Sequence, residues 1–561
     1  GVRSLRRRGL DFVVVPVEGS FPERAQRPRP LPFPLSLLPM LPSEISLEEM
    51  EHRIELLAND RRVKGAIFRI QDLQAGSATV HTLRRLLLTL RQRGKHTVAW
   101  VPSADTWDYY LASACEQIIL PPPGRLNALG LRTEALFLGE TLSMAGITAD
   151  LESIAEYKVT PDMFRRSFIT EPHQEMLEAI LDSVYDVVVN AISEGRDMDA
   201  EVAQRLMDKM PMRPDQAQEE GLIDATLYED ELAAHLTSTF KDAPSGPQAM
   251  EKDRYTPLMS WDQASHWLKR PLTWMTKHRI GVISLEGMIV PGKSRRTPMP
   301  LPLPVEAQAG AETLTAALRQ AETDPHIRAV ILHVDSPGGS SLASDLIWRQ
   351  VQRLKQQKPV VVLMGEQAAS GGYYVSAPAH HIVARPTTLT GSIGIWGGKF
   401  VLDELYNRLR VGREELHRGA RADLYTELRP FDEGEREQIR RELEETYARF
   451  KQIVAQGRDM AEEEIEAIAR GRVWTGEQAA TIGLVDELGD FQTALEAAKT
   501  LADLDPDKEY TVVQIMAPRH DVLPQPFNAE AEQGWAAIQR MLRNLAHEHV
   551  WAMAPWDVRL R

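Results

Sequence analysis

Short continuous apolar runs alternate with amphipathic stretches of helical period along this chain, and the alternation occurs twice. Residues 12–17 (Phe-Val-Val-Val-Pro-Val) read as a first strand. The stretch 28–42, rich in Pro and Leu, suits neither a helix nor an inner strand, because proline lacks the N–H. Ser46 then starts an acidic helix to about Ala58, with Ser46 and Glu49 spaced as a capping box. A strand (65–70), a helix (about 80–91), a strand (97–101) and the stretch Thr106-Trp-Asp-Tyr-Tyr follow. This β-α-β-α order predicts an α/β fold with parallel sheets covered by helices.

The second half repeats the first. Tyr109-Tyr110 recurs as Tyr373-Tyr374, and the same offset pairs Ile70 with Val334 and Gly130 with Gly394. At an offset two residues shorter, Gly195-Arg-Asp-Met recurs as Gly457-Arg-Asp-Met, and Gly221-Leu-Ile-Asp as Gly483-Leu-Val-Asp. Even the proline-rich insert recurs, at 298–304 after the strand 281–285. The chain is therefore read as an intramolecular duplication. Its expected divisions are a first repeat (1–240), a linker (241–278), a second repeat (279–520) and a tail (521–561). In the tail, Trp535, Ile538, Leu542 and Leu545 share one helical face that should dock on something.

The repeat shows what each half lacks. An apolar run (360–364) leads into Gly365-Glu-Gln-Ala-Ala-Ser-Gly-Gly-Tyr-Tyr, which places Ser370 just past a strand end with Gly371 and Gly372 beside it. A serine there, at a helix start, has free backbone N–H groups nearby that can hold an oxyanion, as in a nucleophile turn. It also suits a plain N-cap. The first half has Thr106-Trp107-Asp108 in the matching positions. Likewise Asp335-Ser-Pro-Gly-Gly-Ser340, a sharp turn after the strand 329–334, faces Gln71-Asp-Leu-Gln-Ala-Gly76. A nucleophile and an oxyanion-type loop thus survive only in the second half.

Composition narrows the class. Lys plus Arg total 65 against 80 Asp plus Glu, a net charge of −15, which disfavours a nucleic-acid partner. A single cysteine, Cys115, rules out an intramolecular disulfide and a cysteine-based zinc site. No window reaches the roughly 18 apolar residues of a membrane span. The first residue is Gly1 and not Met, so an anchor or signal preceding it is compatible with the sequence.

A serine hydroxyl needs a base to become a nucleophile. His380 and His381 follow Ser370 at the end of the expected helix and should point away from it. The alternative is a lysine made neutral by desolvation. The first half offers Tyr157-Lys158-Val159-Thr160-Pro161, and the second half has Ala422 where Lys158 would fall, so each half has lost what the other keeps.

Four motifs, Asp335-Ser-Pro-Gly-Gly-Ser, Ala369-Ser-Gly-Gly-Tyr, Thr390-Gly-Ser-Ile-Gly and Glu156-Tyr-Lys-Val, carry a resemblance. The chain resembles the long, duplicated type of the signal peptide peptidase A family, serine proteases that include the protease IV enzymes, over nearly all of both repeats. The resemblance implies a tandem ClpP/crotonase-like fold and a Ser-Lys dyad, with Ser370 as nucleophile and Lys158 as general base. It implies that Ser392 hydrogen-bonds the lysine, and that backbone N–H groups of Gly339 (or Gly338) and Gly371 form the oxyanion hole. No metal, nucleotide or other cofactor is implied. Members degrade released signal peptides at the outer face of the bacterial inner membrane and assemble as bowl-shaped tetramers. For this chain that implies peptide substrates, a homotetramer, membrane association and a periplasmic-side location if an anchor precedes Gly1. Arg3, Arg6, Arg7 and Arg8 would lie on the outer side of such an anchor, against the positive-inside preference. The paired Pro-Leu inserts are read as surface loops or as an apolar rim. Competing readings are a non-catalytic scaffold of the same fold and an acyl-CoA hydratase or isomerase, which would use a carboxylate base.

Overall fold

The computed structural model describes residues 10–25, 44–240, 258–269, 276–296, 307–516 and 550–554. Both Pro-Leu inserts, the arginines before Leu10, most of the linker and the apolar face from Trp535 to Leu545 lie outside these residues. The chain forms two compact units that do not follow chain order. One comprises 1–131 and 184–274; the other comprises 132–183 and 275–561. The segment 132–183 belongs to the first repeat by sequence and to the second unit by contact.

The first unit holds a six-stranded parallel sheet in the order Ala225–Thr226, Gln117–Leu120, His96–Trp100, Gly65–Leu73, Phe12–Gly19 and Leu258–Ser260. Its first helix, Leu47–Asn59, starts where expected, with the Glu49 N–H donating to Ser46 Oγ at 3.1 Å. The Glu49 carboxylate does not close the expected box; it receives Arg53 Nε, one turn on, at 3.1 Å.

The second unit is built on a longer sheet: Val473–Thr475, Leu389–Gly391, Val360–Ala369, Ile327–Ser336, Arg279–Glu286 and Thr511–Gln514. All neighbours are parallel except the first pair. The strand Val360–Ala369 is continuously apolar over 360–364 because both faces of that stretch are covered. Val360, Val362 and Met364 join the larger core cluster, while Val361 and Leu363 pack with Ala494 and Ala498 of the helix Phe491–Leu501. All five are fully buried, each contributing about 1.5–3 kcal/mol relative to exposure.

A second sheet in this unit runs Arg295–Arg296, Ala307–Gly310, Met288–Val290, Gly338–Ser340, Val550–Met553, Trp396–Val401 and Thr148–Ser153. Two of its strands differ from the sequence reading. Gly338–Ser340, expected as part of a turn, pairs with Ile289 on one side and with Trp551, Ala552 and Met553 on the other. Val550–Met553, expected within an amphipathic tail, is a buried strand between Gly338–Ser340 and Trp396–Val401.

Candidate active site

Ser370 stands between the end of the strand Val360–Ala369 and the helix Gly371–Ser376. Its N–H donates to the Gly391 carbonyl at 2.8 Å, and its own carbonyl accepts from the Tyr374 N–H at 2.8 Å. Held at both ends, the residue adopts φ 53°, ψ −112°, a conformation that costs a non-glycine residue about 1–3 kcal/mol. The sharp turn is therefore taken by the serine itself and not by the two glycines that follow it. Gly371 and Gly372 are required by close approach: a Cβ at Gly371 would lie 2.6 Å from Ser344 Oγ, and one at Gly372 would lie 2.8 Å from the Ser336 carbonyl oxygen.

Lys158 arrives on the same unit through the strand Thr148–Ser153, which runs antiparallel to Trp396–Val401. The Tyr157 N–H donates to the Arg470 carbonyl at 3.1 Å. Gly471, at φ +84°, lies so close that a Cβ there would sit 2.4 Å from the Lys158 nitrogen; a Cβ at Gly394 would sit 3.1 Å from its Cδ. These two glycines frame the lysine stem; Gly394 closes the Thr390-Gly-Ser-Ile-Gly motif, whereas Gly471 lies outside the four motifs.

The side chains converge. Lys158 Nζ lies 2.7 Å from Ser370 Oγ, 3.1 Å from Ser392 Oγ and 3.0 Å from the Ser392 carbonyl oxygen. Ser370 and Ser392 are fully buried and Lys158 is 1% exposed. Burial, with no opposing carboxylate among the described residues, holds the lysine well below its ordinary value near 10.5. Ser392 itself sits at φ 49°, with its N–H on the Arg472 carbonyl at 2.7 Å.

Gly338 and Gly339 flank this group. Gly338 has φ +98°, and a Cβ on it would lie 2.6 Å from the Gly371 nitrogen. Gly339 is pressed against Ile289, whose carbonyl oxygen would be 2.0 Å from a Cβ. Of the motif's other members, Ser336 Oγ donates to the Gly287 carbonyl at 2.7 Å, and Ser340 Oγ caps the helix Ser341–Lys355. Asp335 is buried beside Glu366 and is pushed up to about 7, mainly by that burial.

The two histidines are engaged elsewhere. His380 Nδ1 accepts the Val360 N–H at 3.1 Å, and His381 Nε2 meets Glu487 at 3.0 Å. Among the described residues no group of His, Cys, Asp and Glu is arranged to hold a metal ion. None of their helices is long and apolar enough to cross a membrane.

The family model described as peptidase family S49 matches the chain twice, over residues 89–241 and 352–505. The chain is 32% identical to a chloroplastic serine protease SPPA of Arabidopsis thaliana, over 85% of this chain and 68% of the relative. It is 27% identical to protease 4 of Haemophilus influenzae, over 84% of this chain and 75% of the relative. A putative signal peptide peptidase SppA of Enterococcus faecium is 33% identical over 32% of this chain and 53% of its own length. The two matched regions fall one in each repeat, as a tandem duplication of a ClpP/crotonase-like α/β fold requires. The chain belongs to peptidase family S49 and is a serine peptidase.

Proposed function

We propose that this peptidase works through a Ser-Lys dyad, with Ser370 as nucleophile and Lys158 as general base. The observation that carries the reading is the 2.7 Å approach of Lys158 Nζ to Ser370 Oγ in a site that desolvates the amine. A neutral amine has two N–H donors and one lone pair. With the donors on the Ser392 carbonyl and Ser392 Oγ, the lone pair is left for the Ser370 hydroxyl. Ser392 is thus a positioning residue.

Lys158 takes the Ser370 proton as Oγ attacks the scissile carbonyl carbon. The backbone N–H groups of Gly371 and Gly339 receive the oxyanion; the Gly338 N–H already donates to Ser336 Oγ at 3.1 Å. Collapse breaks the C–N bond, and the lysine returns the proton to the leaving amine. Water, deprotonated by the same lysine, then attacks the acyl-enzyme and releases Ser370. No step calls for a metal or a nucleotide. An acyl-CoA hydratase-type site would place a carboxylate where Ser370 Oγ meets an amine.

The substrates are released signal peptides and other short apolar peptides. Supporting this, Leu151, Met288, Val290 and Trp396 form an apolar cluster in the sheet that contains Gly338–Ser340. The Enterococcus faecium relative is also named as a putative signal peptide peptidase. We place the enzyme, as a homotetramer, at the outer face of a bacterial membrane.

Labelling with a fluorophosphonate across pH 6 to 10 tests the dyad. Wild type should label, Ser370→Ala should not, and Lys158→Ala should label about 10²–10⁴-fold more slowly. Unchanged labelling of Lys158→Ala would place the base elsewhere.

A further inference from the structure

A peptide substrate of such a site binds by adding a strand to an open sheet position, with backbone hydrogen bonds to its neighbours and side chains in alternate pockets. In this structure that position is filled by the chain itself. Val550–Met553 runs antiparallel to Gly338–Ser340, pairing Met553 with Gly338, Ala552 with Gly339 and Trp551 with Ser340. On its other edge it runs antiparallel to Trp396–Val401, pairing Trp551 with Trp396 and Val550 with Gly397.

The register brings the strand onto the nucleophile's own neighbours. A Cβ on Gly338 would lie 2.1 Å from the Ala552 carbonyl oxygen, and one on Gly371 would lie 2.9 Å from the same atom. The Ala552 carbonyl is therefore lodged against the two glycines that adjoin Ser370. Its side chains alternate as a bound peptide's would. Trp551 and Met553 enter the cluster of Leu151, Met288, Val290 and Trp396, with Trp551 stacked on Trp396 at 6.1 Å and 19°. Val550 and Ala552 face the main core.

Two further bonds hold the strand. Thr160 Oγ1, two residues from the lysine, donates to the Met553 carbonyl at 3.0 Å, and the Ala554 N–H donates to the Pro337 carbonyl at 2.7 Å. With the strand seated, Ser370 is fully buried and Lys158 nearly so. A substrate strand and this segment cannot occupy the position together.

We propose that Val550–Met553 is an intramolecular pseudosubstrate: it holds the substrate position in the resting enzyme, and an extended apolar peptide must displace it before Ser370 can react. The inference rests on the reading of Ser370 as nucleophile. Because the occupant is tethered, it competes at an effective concentration of about millimolar, so weakly binding peptides are excluded.

The test uses the full chain as wild type, as Trp551→Ala/Met553→Ala and as Thr160→Val. The last variant loosens one anchor without emptying the apolar cluster, and so serves if the double variant fails to fold. Two quantities are read: the rate of fluorophosphonate labelling, and amide hydrogen exchange over 550–554 with and without millimolar acetyl-Val-Trp-Ala-Met-Ala. Loosening the strand should speed labelling about tenfold or more in the double variant and several-fold in Thr160→Val. In wild type, added peptide should raise exchange at Trp551, Ala552 and Met553. Equal labelling rates in wild type and a folded variant overturn the proposal, as does exchange that the peptide leaves unchanged. If no protein labels at all, the nucleophile assignment has failed; exchange then decides occupancy alone, a peptide-induced rise supporting it and no rise overturning it.

Discussion

Replacing Lys158 by methionine separates the chemistry of the amine from its energetic cost. In the folded protein the amine is desolvated and held well below its ordinary value; in the unfolded chain it titrates near about 10.4. Between those two values the unfolded chain binds a proton that the folded protein does not. Stability therefore rises with pH through that window, by at most about 1.4 kcal/mol per pH unit for a single group, and the contribution levels off above about pH 10.4. Below the folded value both states are protonated, and the full cost of burying the charge is present. Lys158→Met removes this dependence. It also strips the Ser392 carbonyl and hydroxyl of a donor, at about 1–3 kcal/mol, but that loss is independent of pH. Urea unfolding of both proteins between pH 7 and pH 10 provides the assay. Subtracting one curve from the other cancels every other titration. The wild type should gain on the variant as pH rises, with the slope just given, while the variant's labelling falls about 10²–10⁴-fold. Parallel stability curves, or a wild type that loses ground with rising pH, would show that the lysine is not desolvated and that its neutral form is not what the fold prepares.

Gly471→Ala should slow labelling at least about tenfold, because a Cβ at φ +84° meets the Lys158 backbone at 2.4 Å and must move the amine; comparison with wild type at equal folded fraction checks it. Ser392→Ala removes the 3.1 Å contact to Nζ but keeps the carbonyl contact. We expect roughly tenfold slower labelling with Ser370 still the labelled residue, read by peptide mapping of the adduct.

The strand before Ser370 was legible because a buried parallel strand is apolar on both faces, and 360–364 had no polar interruption. Which residue of the following turn takes the positive φ was not, because Gly-Gly announces a turn without assigning it. The backbone bonds to Gly391 and Tyr374 put the strain on Ser370, and tertiary pairing of this kind leaves no local trace. Lys158 and Ser370 are 212 residues apart, so resemblance could join them where periodicity could not. Gly338–Ser340 was read as a turn on composition and is a strand, because glycine lets Ile289 and Ala552 press against its backbone from either side. Val550–Met553, too short for periodicity to classify, owes its place to that glycine surface.

The duplication supplies an internal control on why the strain at Ser370 persists. Thr106 holds the matching place in the first unit, and there the junction is relaxed. Asp105 caps the helix Thr106–Ala112 from ordinary extended backbone, φ −81° and ψ −170°, and its side chain accepts from the Trp107 and Asp108 N–H groups. The Thr106 hydroxyl is spent on the Gly130 carbonyl at 2.8 Å. Gly130 meets nothing closer than Tyr185, at 4.0 Å from a would-be Cβ, whereas its counterpart Gly394 is crowded by the lysine stem. The junction at Thr106 is thus a capped helix with ordinary backbone, whereas the matching junction at Ser370 holds an unfavourable φ beside Lys158. Strain of about 1–3 kcal/mol is lost readily when nothing selects for it. Its presence at Ser370, together with the glycines that leave room for Lys158, is what the proposed hydroxyl–amine pair demands and what a scaffold would not.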